Sequence, residues 1–265
     1  MIKSLFKVAA LAAITLLPAS AMAQFNGWKT NARVFNDFTT STLTISNSNT
    51  NPGTVVIDDR GFVDDGIGGN FANRHDVMAS TNGGATAANI NIGQGFTIQA
   101  NVRLEDGSNA PRKEAGFRIN SPVTGDLLFL VNSDAGEIVT FGGGGPFFSF
   151  GSNGGGNGYT PGQTILMGMT YRSGFGGNPG TSEYFINRGA GLETSGQLAW
   201  SNTEGGPVNF NVGVYGQFSP NLSNTQDFAT ATFNNLSIVA IPEPASIGLL
   251  SLAGVSMLAR RRKSA

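Results

Sequence analysis

The 265-residue chain contains no cysteine, a single histidine and two tryptophans, and only 12% of its residues are charged. The missing thiols exclude a disulfide framework, a thiolate metal site, a cysteine nucleophile and a lipidated cysteine, so core burial has to stabilise whatever folds. One histidine leaves zinc chemistry without its ligands. With no second histidine and no nucleophile elbow, His75 reads as a turn or surface residue rather than a base or ligand. Also absent is the E-x-D-x-x-E spacing that sets an acid and a nucleophile on one face of a strand. Glu114, Glu137 and Glu183 each begin or border an expected strand and read as solvated edges or turns. No helical periodicity longer than two turns runs through the middle of the chain, and no apolar stretch is long enough for a lasting membrane span.

What is present starts with a tail at each end. "MIKSLFKVAALAAITLLPASAMAQ" places cations at Lys3 and Lys7, an apolar run from Val8 to Leu17, and a helix-ending Pro18 before small residues. That run is too short to cross a bilayer, and Ala21 and Ala23 occupy the small-x-small positions that a signal peptidase pocket requires, with Gln24 as the expected mature start. Residues 1–23 are therefore expected to be a signal peptide that directs the chain through the secretory translocon. Both tails are cationic and hide the charge between them: residues 24–241 hold 10 basic and 16 acidic side chains, a net −6. Such a surface disfavours nucleic acid and suits a soluble or cation-binding domain.

The other tail, residues 241–265, reads "IPEPASIGLLSLAGVSMLARRRKSA". Its 15 uncharged residues, 245–259, reach about 22 Å as a helix against roughly 30 Å of hydrocarbon. Arg260, Arg261, Arg262 and Lys263 would stay cytoplasmic, leaving the large domain outside. Pro242 and Pro244 hold the segment before the helix extended, the conformation in which proteases take substrates. The order of Pro242, Glu243 and Pro244, a short apolar run and a basic stop resembles the PEP-CTERM sorting tail of Gram-negative bacteria. That resemblance implies recognition by exosortase, transient anchoring by a single transmembrane helix (245–259, basic tail 260–265), and delivery to the cell surface or extracellular matrix.

Between the tails, glycine-rich turns separate period-two stretches. In "FTIQANVRL", Phe96, Ile98, Ala100, Val102 and Leu104 face one way and Thr97, Gln99, Asn101 and Arg103 the other, as in a half-buried strand. Similar patterns run over 115–120, 127–132, 137–141, 164–171, 183–187, 208–216 and 231–239. Many short strands without alternating helices predict an all-β fold, an antiparallel jelly-roll-type β-sandwich over residues 24–240. The rhythm from "FTIQANVRL" to the closing "ATFNNLSI" resembles concanavalin-like and laminin-G-like sandwiches.

Candidate site residues are few. Asp58, Asp59, Asp64 and Asp65 crowd one glycine-bearing segment, supply hard oxygen ligands, and are candidate calcium ligands without EF-hand spacing. Trp28, Trp200, Tyr159 and Tyr171, with Phe147 and Phe148 of a glycine-rich loop, are candidate stacking residues for a sugar. With no catalytic constellation in view, the expectation is a non-catalytic structural or adhesion module of an exopolysaccharide layer. A lectin-like domain is the alternative, and a glycan hydrolase stands third.

Overall fold

The computed structural model describes residues 24–241 except 65, 67, 68, 70, 92, 123–124, 152–157, 175–179 and 201–208. Ala21 and Ala23, the Pro242–Glu243–Pro244 motif, the apolar segment 245–259, Arg260 to Lys263, and Asp65 lie outside the described residues; Gln24 is exposed at their start.

Fifteen strands follow one another without a helix among the described residues: β1 (Gly27–Asn36), β2 (Thr42–Asn47), β3 (Gly53–Arg60), β4 (Asn73–Ser80), β5 (Ile90–Asn91), β6 (Gly95–Asp106), β7 (Lys113–Ser121), β8 (Gly125–Asn132), β9 (Ile138–Gly142), β10 (Phe148–Ser149), β11 (Thr164–Arg172), β12 (Thr181–Asn187), β13 (Leu192–Ala199), β14 (Asn209–Phe218) and β15 (Phe228–Ile241). They form two sheets, β1-β4-β14-β7-β8-β9-β10 with β5 attached to β14, and β13-β12-β11-β6-β15-β3-β2. The all-β antiparallel sandwich expected from the alternation is the observed architecture, and each expected strand is present. On β6, Phe96, Ile98, Ala100, Val102 and Leu104 are at most 1% exposed.

The strand β15 shows how sequence detail sets the faces. Ala229, Ala231 and Phe233 point inward, and then Leu236 and Ile238 do. The parity changes at Asn234 and Asn235, where the register against β6 shifts and Asn235 adopts a φ of 53°. One extra residue in a strand flips every side chain beyond it, and Asn tolerates the left-handed backbone.

Rings join the sheets across the core: Phe96 packs on Phe210 at 5.9 Å, Phe129 on Tyr184 at 5.2 Å, and Tyr171 on Phe210 at 5.7 Å. Burying each such side chain is worth about 1.5–3 kcal/mol relative to leaving it in water. Two polar pairs are also buried between the sheets. His75 donates from Nε2 to Asp59 Oδ2 at 3.0 Å, while its Nδ1 accepts the Arg33 N–H at 3.0 Å. Lys113 Nζ lies 3.1 Å from Asp227. The placement of His75 corrects the sequence reading: it is a fully buried mid-strand residue of β4, not a turn or surface residue. Its neighbours Arg74 and Asp76 are polar, so the alternation points His75 inward together with Val77 and Ala79.

Candidate functional site

The two sheets differ on their outer faces. The outer face of β6 carries Thr97, Gln99, Asn101 and Arg103, an ordinary half-exposed or exposed polar row. The outer face of the sheet that holds β4, β14, β7, β8 and β9 instead buries a second apolar cluster, Leu128, Leu130, Val139 and Tyr215, beside an ion network. Strand alternation puts the network there. On β4, β7 and β14 the core takes Val77, Ala79, Ala115, Phe117, Val212 and Val214, so Arg74, Asp76, Glu114, Arg118 and Tyr215 must point the other way.

Arg74 Nε donates to Asp76 Oδ1 at 3.1 Å, and Arg74 Nη1 lies 3.1 Å from Asp126 Oδ2. Arg118 reaches the same two carboxylates: Nη1 donates to Asp76, and Nη2 is 2.7 Å from Asp126 Oδ1. Two strands, β14 and β7, separate β4 from β8. In a sheet that is roughly 14 Å between backbones, so the Arg74–Asp126 contact needs both side chains to reach across β14 and β7 over this face. The guanidinium of Arg74 lies over the Tyr215 ring at 4.9 Å from its centroid. Tyr215 Oη donates to Glu114 Oε2 at 3.0 Å, and Glu114 Oε1 accepts from Arg112 Nε at 2.5 Å. Arg112 Nη1 in turn donates to Glu137 Oε2 at 3.1 Å, which also accepts Asn132 Nδ2 at 2.6 Å.

Glycines make room for the tyrosine. Gly116 stands directly across from Tyr215 on β7, and a Cβ there would come within 2.1 Å of the Phe129 carbonyl oxygen. On the same strand as Tyr215, a Cβ at Gly213 would come within 2.2 Å of the Val77 carbonyl. Neither position admits a side chain without displacing the neighbouring strand, so no side chain stands at these two outward positions beside Tyr215.

Burial, the chief cause, together with the Glu114 charge, pushes the Tyr215 phenol well above its ordinary value, so it is a neutral proton donor. The two carboxylates that bracket the arginines are displaced in opposite directions. Burial raises Asp76 against the pull of both arginines, whereas in Asp126 the hydrogen bonds from Arg118 and Asn120 and the arginine charges outweigh burial and hold it low. Two buried donors, Arg74 Nη2 and Arg118 Nε, have no hydrogen-bond partner. A buried guanidinium N–H without a partner is costly, so a hydrogen-bond acceptor brought against either donor would be stabilised there.

The residues singled out in the sequence are scattered. Asp58 and Asp59 are neighbours on β3 and so face opposite ways: Asp58 accepts from Arg60 and Thr230, and Asp59 is buried against Asn73 and His75. Asp64 accepts the Gly66 N–H. No group of three His, Asp or Glu suited to a metal occurs among the described residues. Trp28 is buried and donates to the Thr50 carbonyl, Tyr159 is buried and bonds to Leu104 and Gln163, and Trp200 packs edge-on against Tyr171. Phe148 is half-buried, and Phe147 is 69% exposed. Of the three glutamates, Glu114 and Glu137 are brought together through Arg112, while Glu183 lies on the other sheet beside Arg172. Glu114 is a buried strand residue, not a solvated edge. Sequence reasoning missed Arg74, Asp76, Arg118, Asp126 and Tyr215; the available signal was polar and aromatic residues alternating with core residues on three strands.

Comparison with known proteins places this geometry in context. Residues 240–263 match the family model of the PEP-CTERM protein-sorting motif. No curated protein matches the sequence. Among solved structures, the chain is similar to the alginate lyase from Klebsiella pneumoniae (TM-score 0.52, 13% identity, covering 80% of this chain and 95% of that one). It is also similar to the marine PL7 alginate lyase AlyA1 from Zobellia galactanivorans (0.51, 15%, 82% and 96%). A third is a variant of the family 7 alginate lyase A1-II' in complex with substrate (0.52, 10%, 82% and 93%). These likenesses establish the fold. They correct two expectations: the neighbours of this sandwich are alginate lyases rather than concanavalin-like domains, and the reading as a non-catalytic module is contradicted by a likeness to polysaccharide-cleaving enzymes, to which the glycan-cleaving reading placed third stands nearest.

Proposed function

We propose that the chain is an exported polysaccharide lyase that cleaves a uronate-bearing extracellular polysaccharide on the outer face of its larger sheet. The observation that carries this reading is the convergence of a neutral tyrosine, a glutamate that accepts its hydrogen bond, and two arginines with unpaired donors, on a sandwich similar to those of alginate lyases.

The chemistry is a β-elimination. A base removes the proton at C5 of the uronate, the C5–H electron pair forms the C4=C5 double bond, the C4–O4 bond breaks, and the leaving oxygen takes a proton. In this reading Arg74 and Arg118 bind the uronate carboxylate and stabilise charge building on it as C5 loses its proton. Glu114 receives that proton, Tyr215 gives its own to O4, and transfer along the 3.0 Å Tyr215–Glu114 bond restores the starting state. No water, oxidant or second substrate enters the balance. A buried phenol with a raised pKa suits the acid and not the base, which is why the two roles are divided this way.

The delivery route follows from the tail. Signal peptidase cleaves before Gln24, exosortase acts at Pro242, Glu243 and Pro244, and the domain is released to the surface or matrix of a Gram-negative cell. The test is to incubate the purified mature protein with alginate, polygalacturonate and related uronans and follow the ultraviolet absorbance of the unsaturated ends. Absorbance should rise and should be lost in Tyr215→Phe. A flat trace with every uronan would overturn the proposal.

A further inference from the structure

The two arginines already hold a carboxylate of the chain itself between them. Asp126 bridges the two arginines, at 3.1 Å from Arg74 Nη1 and 2.7 Å from Arg118 Nη2, with Asn120 Nδ2 donating to it at 2.8 Å. The same arginines also hold Asp76, but the two carboxylates are not equivalent. The Asp76 side chain is fully buried, whereas that of Asp126 is 27% exposed and stands second in β8, next to the Gly125 turn. The Arg74 side chain is 8% exposed and, held by Asp126, covers the ring of Tyr215, which has no exposed surface. Leu128, Leu130 and Val139 pack with the same ring, and Arg74 is the charged group that lies over it, so drawing Arg74 aside would uncover that face of Tyr215.

From this geometry we infer that Asp126 is an internal stand-in for the substrate carboxylate, and that a uronate enters by displacing it from between Arg74 and Arg118. The inference rests on the lyase reading for the identity of the incoming group. Displacement exchanges one carboxylate for another, so the arginines never lose their counter-charge, and the two donors now without partners become available to the sugar. It also makes Asp126 a specificity-determining residue. A neutral sugar, having no carboxylate, leaves the bridge in place and Tyr215 covered, whereas an acidic residue opens it.

The test uses Asp126→Asn, which keeps the side-chain shape, and Asp126→Ala, which leaves a carboxylate-sized gap. Acetate is the first probe. It should raise the melting temperature of Asp126→Ala saturably and beyond chloride at equal ionic strength, with no such response in the wild type. The second probe is an alginate oligosaccharide, which Asp126→Asn should bind roughly tenfold more tightly than the wild type once the competing like charge is gone. If acetate acts on Asp126→Ala no differently from chloride, or Asp126→Asn binds the oligosaccharide no more tightly, the inference is overturned. Should Asp126→Ala fail to fold, the binding comparison with Asp126→Asn decides alone. The outcomes separate the two proposals: wild-type uronan cleavage with an unchanged KM in Asp126→Asn sinks this inference alone. Acetate rescue with no cleavage by any form sinks the lyase reading alone.

Discussion

Tyr215 owes its protonation state to position. A phenol on the outer face of a sheet would normally be wet, but here Arg74, Glu114 and the neighbouring strands remove it from water, and the adjacent Glu114 charge disfavours ionisation further. Tyr215→Phe is expected to lower kcat by roughly 10²–10⁴ while costing about 1–3 kcal/mol of stability, since Glu114 loses one of its two donors. Steady-state kinetics and urea melts on one preparation check both. Asp126 gives a pH signature. Its folded-state pKa lies below the ordinary 3.8, so its stabilising contribution is complete above that value and disappears as the pH falls through the lower, folded value. The difference in denaturation midpoint between wild type and Asp126→Asn should therefore shrink on going from neutral pH to pH 3 and below; a constant difference would show that the ion pairs to Asp126 contribute nothing to stability.

Strands β14 and β7 set the site because each presents a core row inward and a glycine-bearing row outward. Gly213 and Gly116 lie against the backbones of Met78 and Leu130, where an added Cβ would stand 2.6 Å from each Cα. Gly116→Ala has to push β7 and β8 apart or shift the strand carrying Arg118. Overpacking of this kind costs about 1–3 kcal/mol. Urea melts should show that loss, and activity should fall further than stability, because Tyr215 and Arg118 would both be displaced. Phe117, the inward neighbour of Gly116, is a contrast: Phe117→Ala should cost about 3–5 kcal/mol through cavity formation, with no specific effect on the site beyond unfolding.

At the scale of the whole molecule, the domain carries a net −6 and the proposed substrate is a polyanion. Around the site itself, the carboxylates Asp76, Asp126, Glu114, Asp134 and Glu137 outnumber Arg74, Arg112 and Arg118. Encounter is therefore repulsive at long range, and screening it should help. Raising the salt from very low levels to about 0.15 M, where the Debye length is about 8 Å, should increase kcat/KM; a monotonic fall would mean that a cationic surface dominates encounter. The buried phenols predict the alkaline limit. Tyr159 and Tyr184 are pushed up to about 12, and Tyr215 rises as well, all chiefly by burial. Above the ordinary value of 10.0 the unfolded chain releases phenolic protons that the folded chain keeps, so stability is fully present below that pH and falls above it. Melting temperatures should drop steadily from about pH 10 upward.

The sequence alone carried the sandwich and the sorting tail, because both are written in local pattern: period-two alternation on strands such as β6 and β15, and three short signals in order at one end of the chain. It also excluded thiol chemistry, since the chain has no cysteine. It did not disclose the candidate site, whose members come from positions 74 to 215 and meet only because β14 inserts between β4 and β7. No spacing rule links Tyr215 to Glu114, 101 residues away, or Arg74 to Asp126 across two intervening strands. Strand order and register decided those contacts. They depend on the packing of the whole core, so Glu114, which reads singly as a solvated edge, became part of a buried network beside one tyrosine.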